Sequence, residues 1–548
     1  MEKKFWFRIG FVLGILLLLS SFGTAQVVKK PIELRWAVNF EISTLDPNES
    51  KTDWDYMVHV NAYDTLIYPD SEKGYIPWIA DSWKVSPEGL KYTFHLKKGI
   101  PFHDGKEITA EDVRFSMDRI LTVPCALAPH FTLSLKPGTT KVLDKYTVEF
   151  NLFKRDPSFL DSLLIFKILN KELVLKNKAE GSYGEFGDYG VKFLATHDAG
   201  SGPFAVDEFK FGNFLRMKRF EAYPFRKRRP GSIDLVNILI IPEVVTISAK
   251  LKMGELDMCT WSVGDQFLTK LKEDKNFVIE EYFIPTPWTV LMNCKKKPLD
   301  DIHVRKAIAQ AYDYEQVTTK ILSGGKLMKG PLPEAIRGDC TDIKAYPFDL
   351  EKAKAKLAKS KYSAAELKQT PIEIAAVYGS ERFQNICLLL ATNMQKIGLN
   401  AQIKSVRIVD INQAAAKPET CYHLVLHVQG GRVINPPAIL VYYTKEGWGT
   451  AWLGAGNYYD NPKATDAFNK AKDSLDANEQ RKYYCEAQRL ISEDCPRIWS
   501  HETFRQIPCW RYVKGFEVPK WGALFYELRF ENFYMDTEDP LFKKNHGW

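Results

Sequence analysis

The chain has 548 residues, 45% hydrophobic, 26% charged and 13% aromatic, which excludes a mainly disordered or fibrous protein. Its 75 basic and 68 acidic residues leave a net charge of +7, too mild over this length for a nucleic-acid footprint without clustering on one face. At roughly 100–200 residues per domain, the length suggests about three folding units, each able to bury a core without a disulfide or metal staple.

In chain order, the first 25 residues form a separate object. Lys3, Lys4 and Arg8 give a basic start, Ile9 to Leu19 an apolar run, and Gly23-Thr24-Ala25 the small residues that a signal peptidase reads. This pattern predicts a secretory signal peptide cleaved before Gln26. The apolar run is short for a bilayer needing about 20 residues. With no cysteine at the cleavage site, a lipid anchor is not indicated.

Residues 32–38 alternate and read as a strand that Leu45-Asp46-Pro47 ends. Tyr92 to Leu96 alternates again. Phe102-His103-Asp104-Gly105 reads as a tight turn, and Thr109 with Asp112 as a capping box opening a helix through Ile120. Residues 142–152 and 233–241 read as strands, with Gly200-Ser201-Gly202-Pro203-Phe204 marking a break between them. The densest basic run, Arg226-Lys227-Arg228-Arg229, precedes Pro230-Gly231 and reads as a solvated turn. A strand at Trp288–Met292 is followed by a helix capped by Asp301, with Val304, Ala307, Ile308, Ala311 and Tyr312 on one face. A second helix runs from Asp349 through Leu357. Strands at 371–377 and 401–408 flank a helix from Glu381 to Ile397, a unit that predicts partly parallel sheet. Nine cysteines at irregular spacings, without a CxxC, predict at most one or two bridges of unassigned pairing.

The usual signals of chemistry are missing. The chain has no G-x-S-x-G elbow, no phosphate loop and no dinucleotide turn. His501-Glu502 lacks the second histidine of a zinc protease motif. Cys421, His423 and His427 share one face of a buried strand, Tyr422–Val428, with no fourth ligand nearby, so zinc is the weaker reading. No catalytic residue, metal site or cofactor is assigned.

Residues 77–120 run from Pro77-Trp78-Ile79-Ala80-Asp81-Ser82-Trp83 through Phe102-His103-Asp104-Gly105 to Ile120. They closely resemble the signature of the family 5 extracellular solute-binding proteins, the peptide/nickel receptors of ABC importers. The resemblance continues at Gly200–Phe204, Lys252-Met253-Gly254-Glu255-Leu256-Asp257, Asn293–Asp313 and Ala464-Thr465-Asp466, in order and over most of the chain. It implies an α/β, two-lobed periplasmic-binding-protein fold of type II, with mixed sheets and a ligand cleft between the lobes. It further implies lobe 1 from residues 26–70, 195–285 and 510–548, an extra subdomain at 71–194, and lobe 2 at 286–509. The expected role is a monomeric periplasmic receptor that passes a small molecule or short peptide to an inner-membrane ABC permease, with no nucleic-acid partner. A secreted hydrolase on the same scaffold is the rival from another class.

The resemblance breaks at 422–436. Peptide-binding members carry a tryptophan where this chain has Gln429, and an aspartate that anchors the ligand's ammonium where it has Arg432. A guanidinium cannot hold an ammonium group but clamps a carboxylate bidentately. The departure therefore predicts a carboxylate-bearing ligand held by Arg432, with an oligopeptide or nickel-chelate receptor as the alternative. Other expected cleft residues are His427, Asn39, Phe40 and Glu41 after the first strand, Trp288, and Asn457, Tyr458 and Tyr459.

Overall fold

The computed structural model describes residues 30–548 apart from 51, 71–73, 261–262, 323, 337–339, 379, 429–434, 449–455, 475 and 518–527. The first strand, β1 (Glu33–Val38), buries Leu34, Trp36, Ala37 and Val38, because it lies between two parallel neighbours inside a sheet. A short hairpin follows, β2 (Ile67–Asp70) with β3 (Gly74–Pro77). Four further strands make a separate antiparallel sheet in the order β4-β5-β7-β6: β4 (Ala80–Val85), β5 (Lys91–Leu96), β6 (Thr140–Asp144) and β7 (Thr147–Asn151).

The remaining long strands are β8 (Phe204–Lys210), β9 (Phe214–Arg219), β10 (Leu235–Ile240), β11 (Met258–Cys259) and β12 (Phe277–Met292). After them come β13 (Lys326–Leu327), β14 (Pro371–Val377), β15 (Asn400–Val406), β16 (Leu424–Val428) and β17 (Arg497–Trp510). With β1 they form one sheet, ordered β15-β14-β16-β12-β17-β11-β1-β10-β9-β8, with β13 on β17. Its middle is the antiparallel pair β12 and β17, 16 and 14 residues long, which joins two halves of the molecule. One half is built on β1 and β8–β11, the other on β14–β16.

Two expectations need correction. Residues 142–152 are not one strand but parts of β6 and β7, because Asp144 accepts a hydrogen bond from the Tyr146 backbone N–H (2.8 Å) and turns the chain. The strand expected at Trp288–Met292 is the end of β12. A register shift between Phe283 and Pro287 lets the ladder run past Pro285 and Pro287.

Most of the other local readings hold, the basic run excepted. Thr109 donates to Asp112 from its N–H (2.9 Å) and hydroxyl (2.7 Å) at the start of the helix Ala110–Thr122. Asp301 accepts from the His303 N–H (2.8 Å) to open the helix Ile302–Gln310. The helix Glu381–Lys396 crosses between parallel β14 and β15. One bridge forms, Cys340–Cys485, and the other seven cysteines are free. The basic run is not simply solvated: Arg228 pairs with Glu221 (2.9 Å) and Asp234, and Arg229 lies over the Tyr534 ring (4.2 Å).

Gly200 and Gly202 press directly on the end of the helix Asp53–Ala62. A Cβ on Gly200 would stand 1.9 Å from the Ala62 carbonyl oxygen, and one on Gly202 would stand 2.3 Å from that of Asn61. Between them Ser201 bonds buried Asp64 (3.3 Å), and both glycine carbonyls accept from His103. Gly200→Ala is expected to lower stability by several kcal/mol, the scale of forced core clashes. Urea denaturation checks this, and a loss below about 0.5 kcal/mol, the range of neutral surface changes, would contradict it.

Candidate functional site

The pairing of β16, β12 and β17 sets which side chains share a face. His427 stands opposite Thr289, and Thr289 opposite Trp499. Val290 and Ile498, one position on, point into the core of the second half. The face carrying His427, Thr289 and Trp499 also carries Arg497. Its guanidinium lies 4.7 Å from the Tyr443 ring centre, and the Trp499 indole donates to the Tyr443 hydroxyl (2.8 Å). Burial pulls the Arg497 guanidinium below its ordinary pKa, with Tyr443 and Tyr442 acting against that effect.

A contact between the halves lies close by. Asn435 caps the helix Pro436–Leu440 through its side-chain oxygen (2.8 Å to the Ala438 N–H) and donates from its amide to Asp161 (2.6 Å). The other oxygen of Asp161 accepts from the Tyr75 hydroxyl at 2.5 Å. Asp161 belongs to the helix Phe159–Leu163, after the four-stranded sheet, so this carboxylate joins that sheet's region to the segment leaving β16. The larger apolar cluster spans the same gap, from Trp36 and Phe94 to Tyr443, Phe468 and Tyr484.

The residues expected from sequence divide into groups. Arg432 and Gln429 lie outside the described residues. His427 is 8% exposed, on the face described above. Trp288 is adjacent but on the opposite face, stacked on His501 (5.3 Å) and tilted against Phe383 (5.1 Å), within the core of the second half. Asn39 accepts from the Thr260 hydroxyl (3.0 Å), and Phe40 and Glu41 are exposed at the carboxyl end of β1. Crevices outside the carboxyl ends of strands are where open α/β sheets bind ligands.

Asn457, Tyr458 and Tyr459 hold the chain together locally. The Asn457 carbonyl accepts from the Cys294 N–H (2.9 Å), Tyr458 donates to the Ala415 carbonyl (2.6 Å) and Tyr459 to Asp494 (2.6 Å). The two tyrosines border a polar depression of about 540 Å³ with Lys295, Asp300 and Arg305. Sequence reasoning missed Thr289, Arg497, Trp499, Asn435 and Asp161, because no motif links positions so far apart.

Among the described residues no three His, Cys, Asp or Glu side chains converge to hold a metal. Cys421 packs with Leu291 and Val425, and His423 faces Glu373 (3.6 Å). Ser500 lies 2.6 Å from His501, but both are buried and Ser500 is also held by Tyr312 (2.7 Å), a structural contact. Burial keeps three imidazoles uncharged: His427 and His501 are each pulled down to about 3, with Arg497 adding to the effect at His427. His423 is pulled to about 4 by burial and then Lys296.

The family model for bacterial extracellular solute-binding proteins, family 5, middle region, matches residues 74–451. The probable D,D-dipeptide-binding periplasmic protein DdpA of Escherichia coli (strain K12) is 26% identical over 483 residues, 86% of this chain and 89% of that protein. A dipeptide-binding protein from Pseudoalteromonas sp. SM9913, solved with Met-Leu, superposes with a TM-score of 0.76 at 20% identity, over 92% of this chain and 100% of that one. The binding protein AgaA from A. tumefaciens R10, solved with agropinic acid, gives 0.74 at 22% identity, covering 92% and 99%. The fold is that of the periplasmic binding proteins. Among the described residues no helix is long and apolar enough to cross a membrane.

Asp161→Ala removes the carboxylate on which Tyr75 and Asn435 converge. Small-angle scattering of the ligand-free variant is expected to show a larger radius of gyration, and an unchanged radius would mean the contact does not hold the halves together. For pH, the three histidine values lie below the roughly 6.5 of an unfolded chain. The unfolded chain therefore binds protons that the folded chain refuses, and their stability contribution, whole above about pH 6.5, falls as pH drops through 4 toward 3. A double variant, His423→Gln with His501→Gln, is expected to flatten the acid limb of Tm against pH; an equally steep limb contradicts this.

Proposed function

Because this chain belongs to the bacterial extracellular solute-binding proteins of family 5, we propose that it captures a short peptide or peptide-like carboxylate and hands it to an ABC importer of the inner membrane. In this reading the mature protein begins at Gln26 and works in the periplasm as a monomer. Residues 26–70, 195–285 and 510–548 form one lobe with the subdomain 71–194 attached, and 286–509 form the other. The ligand lies between them, and the Asn435–Asp161 contact marks the closed arrangement. Closure of two lobes about a few linking strands is a hinge-type switch, and it buries the ligand in a dry cleft with a few placed polar groups.

The observation that carries this reading is the pairing of β12 with β17, which runs one sheet through both halves of a family 5 chain. The ligand class draws on the relatives. A D,D-dipeptide, Met-Leu and agropinic acid all carry a carboxylate. Arg432, in place of the aspartate expected from the family, fits that shared group, with Gln429 beside it in sequence. The receptor does no chemistry of its own, so a bound peptide leaves it intact.

Native mass spectrometry of the gently purified mature chain, repeated after denaturation and refolding, identifies any small molecule it holds. A thermal-shift panel of free dipeptides, their C-terminal amides and opine-like acids then tests the class. Free acids are expected to raise Tm and the amides to do so far less. Arg432→Ala should weaken the acids about 10-fold or more, the scale of a lost charge-assisted hydrogen bond, with Arg432→Lys retaining part. Equal protection by acids and amides would overturn the carboxylate reading. Cleaved peptide in the incubation would replace a receptor with a hydrolase.

A further inference from the structure

Two neighbouring polar atoms beside Trp499 are buried without a hydrogen bond. They are the Thr289 hydroxyl on β12 and Nδ1 of His427 on β16, and neither has a partner among the described residues. Thr289 is 1% and His427 8% exposed. As direct partners across an antiparallel ladder, their Cβ atoms stand about 5 Å apart on one face. Some groups around them are satisfied: the Trp499 indole has the Tyr443 hydroxyl, and His423 accepts from the Glu373 N–H (3.2 Å). His501, reached from the other face of β12, has Ser500 at Nδ1 while its Nε2 is without a partner among the described residues.

Each orphaned group costs roughly 1–3 kcal/mol of desolvation. Valine in place of Thr289 would remove that cost and suit a buried strand better. The two orphans also lie where the sheet is irregular. The β12–β17 register shifts between Trp288 and Thr289, and the β12–β16 ladder ends one rung beyond, at Trp288 and Val428. Bulges of this kind re-aim side chains beside functional sites. A chain that keeps two adjacent unpaired polar atoms at such a place is fitted to a partner from outside itself.

We propose that Thr289 and His427 form a specificity-determining subsite that hydrogen-bonds an uncharged polar group of the captured solute, of the amide, carbonyl or hydroxyl class. The inference rests on the receptor reading above. The imidazole stays neutral at pH 7 and offers one N–H or one lone pair, and the hydroxyl can donate or accept. Arg497, on the same face, repels a cation. An ammonium terminus is therefore not the guest here, whereas a peptide bond is. The pair would fix the register of a peptide whose charged end is held elsewhere.

The test uses the full mature chain with Met-Leu and Ala-Ala-Ala as probes, comparing wild type with Thr289→Val, Thr289→Ser and His427→Leu. Thr289→Val is expected to keep or raise the ligand-free Tm, since it removes an unpaired group, yet to weaken probe binding about 10-fold by calorimetry, the worth of a hydrogen bond lost to a buried group. Thr289→Ser keeps the hydroxyl and should keep the affinity. His427→Leu should follow Thr289→Val. A ligand-free Tm several degrees lower in Thr289→Val would show an internal partner and overturn the inference. Variants that bind a probe as tightly as wild type would overturn it while leaving the receptor reading intact. A wild type that binds neither probe, and no other member of the panel, would sink the peptide reading and this inference with it.

Discussion

The antiparallel ladder between β12 and β17 is the interaction on which the rest of the molecule depends. Two strands of 16 and 14 residues bond over most of their length, and neighbours attach on both sides: β11 and then β1 on one, β16 and then β14 on the other. A continuous ladder transmits position stiffly, since moving one half means bending or breaking its hydrogen bonds. The ladder is irregular at only two places, between Phe283 and Pro287 and between Trp288 and Thr289. Both lie where the sheet passes from one half to the other.

The motifs that make the chain recognisable serve this framework. Asp257, at the end of the Lys252–Asp257 motif, is fully buried and accepts from the Arg35 N–H (2.7 Å), the Arg35 guanidinium (2.7 Å), the Tyr512 hydroxyl (2.8 Å) and His546 (2.9 Å). One carboxylate thus ties β1, the end of β17 and the last helix together. Gly200 and Gly202 allow a close approach that no other residue permits, and Asp301 opens a helix. Arg119 is buried on Asp46 (2.5 Å), and Arg529 on Asp64 (3.4 Å) and Glu531 (2.7 Å). Losing one partner of such a pair strands a buried charge, which is far costlier than never having the pair. Signatures of this kind report a fold faithfully and say little about a ligand.

The face of β12, β16 and β17 around Trp499 has a different electrostatic character. Its histidine is uncharged, its cation is Arg497 over the Tyr443 ring, and the Thr289 hydroxyl and His427 Nδ1 have no partner among the described residues. Elsewhere several buried charges are matched to opposite charges, as Arg119 is to Asp46 and Arg529 to Glu531. The adjacent unpaired atoms of Thr289 and His427 are the basis of the subsite proposed for the solute.

Much of the local structure is legible in sequence, because the rules behind it act over a few residues. Alternation at Glu33–Val38, the Thr109/Asp112 box, the Asp301 cap and the strand–helix–strand unit from Pro371 to Val406 needed no tertiary information. Family resemblance extended this to the whole architecture. Local alternation showed only the end of β12, from Trp288 to Met292, and Trp288, Tyr458 and Tyr459 make core and loop contacts that no local pattern announces. Of the candidate site only His427 was legible, since the departure at Arg432 lies outside the described residues. Thr289, His427 and Trp499 become a row solely through strand register, and Asn435 meets Asp161 across 274 positions of sequence. Periodicity and capping are properties of neighbours in the chain and so can be read from it. Register and contact between the halves are properties of the packed sheet, and only the tertiary structure decides them.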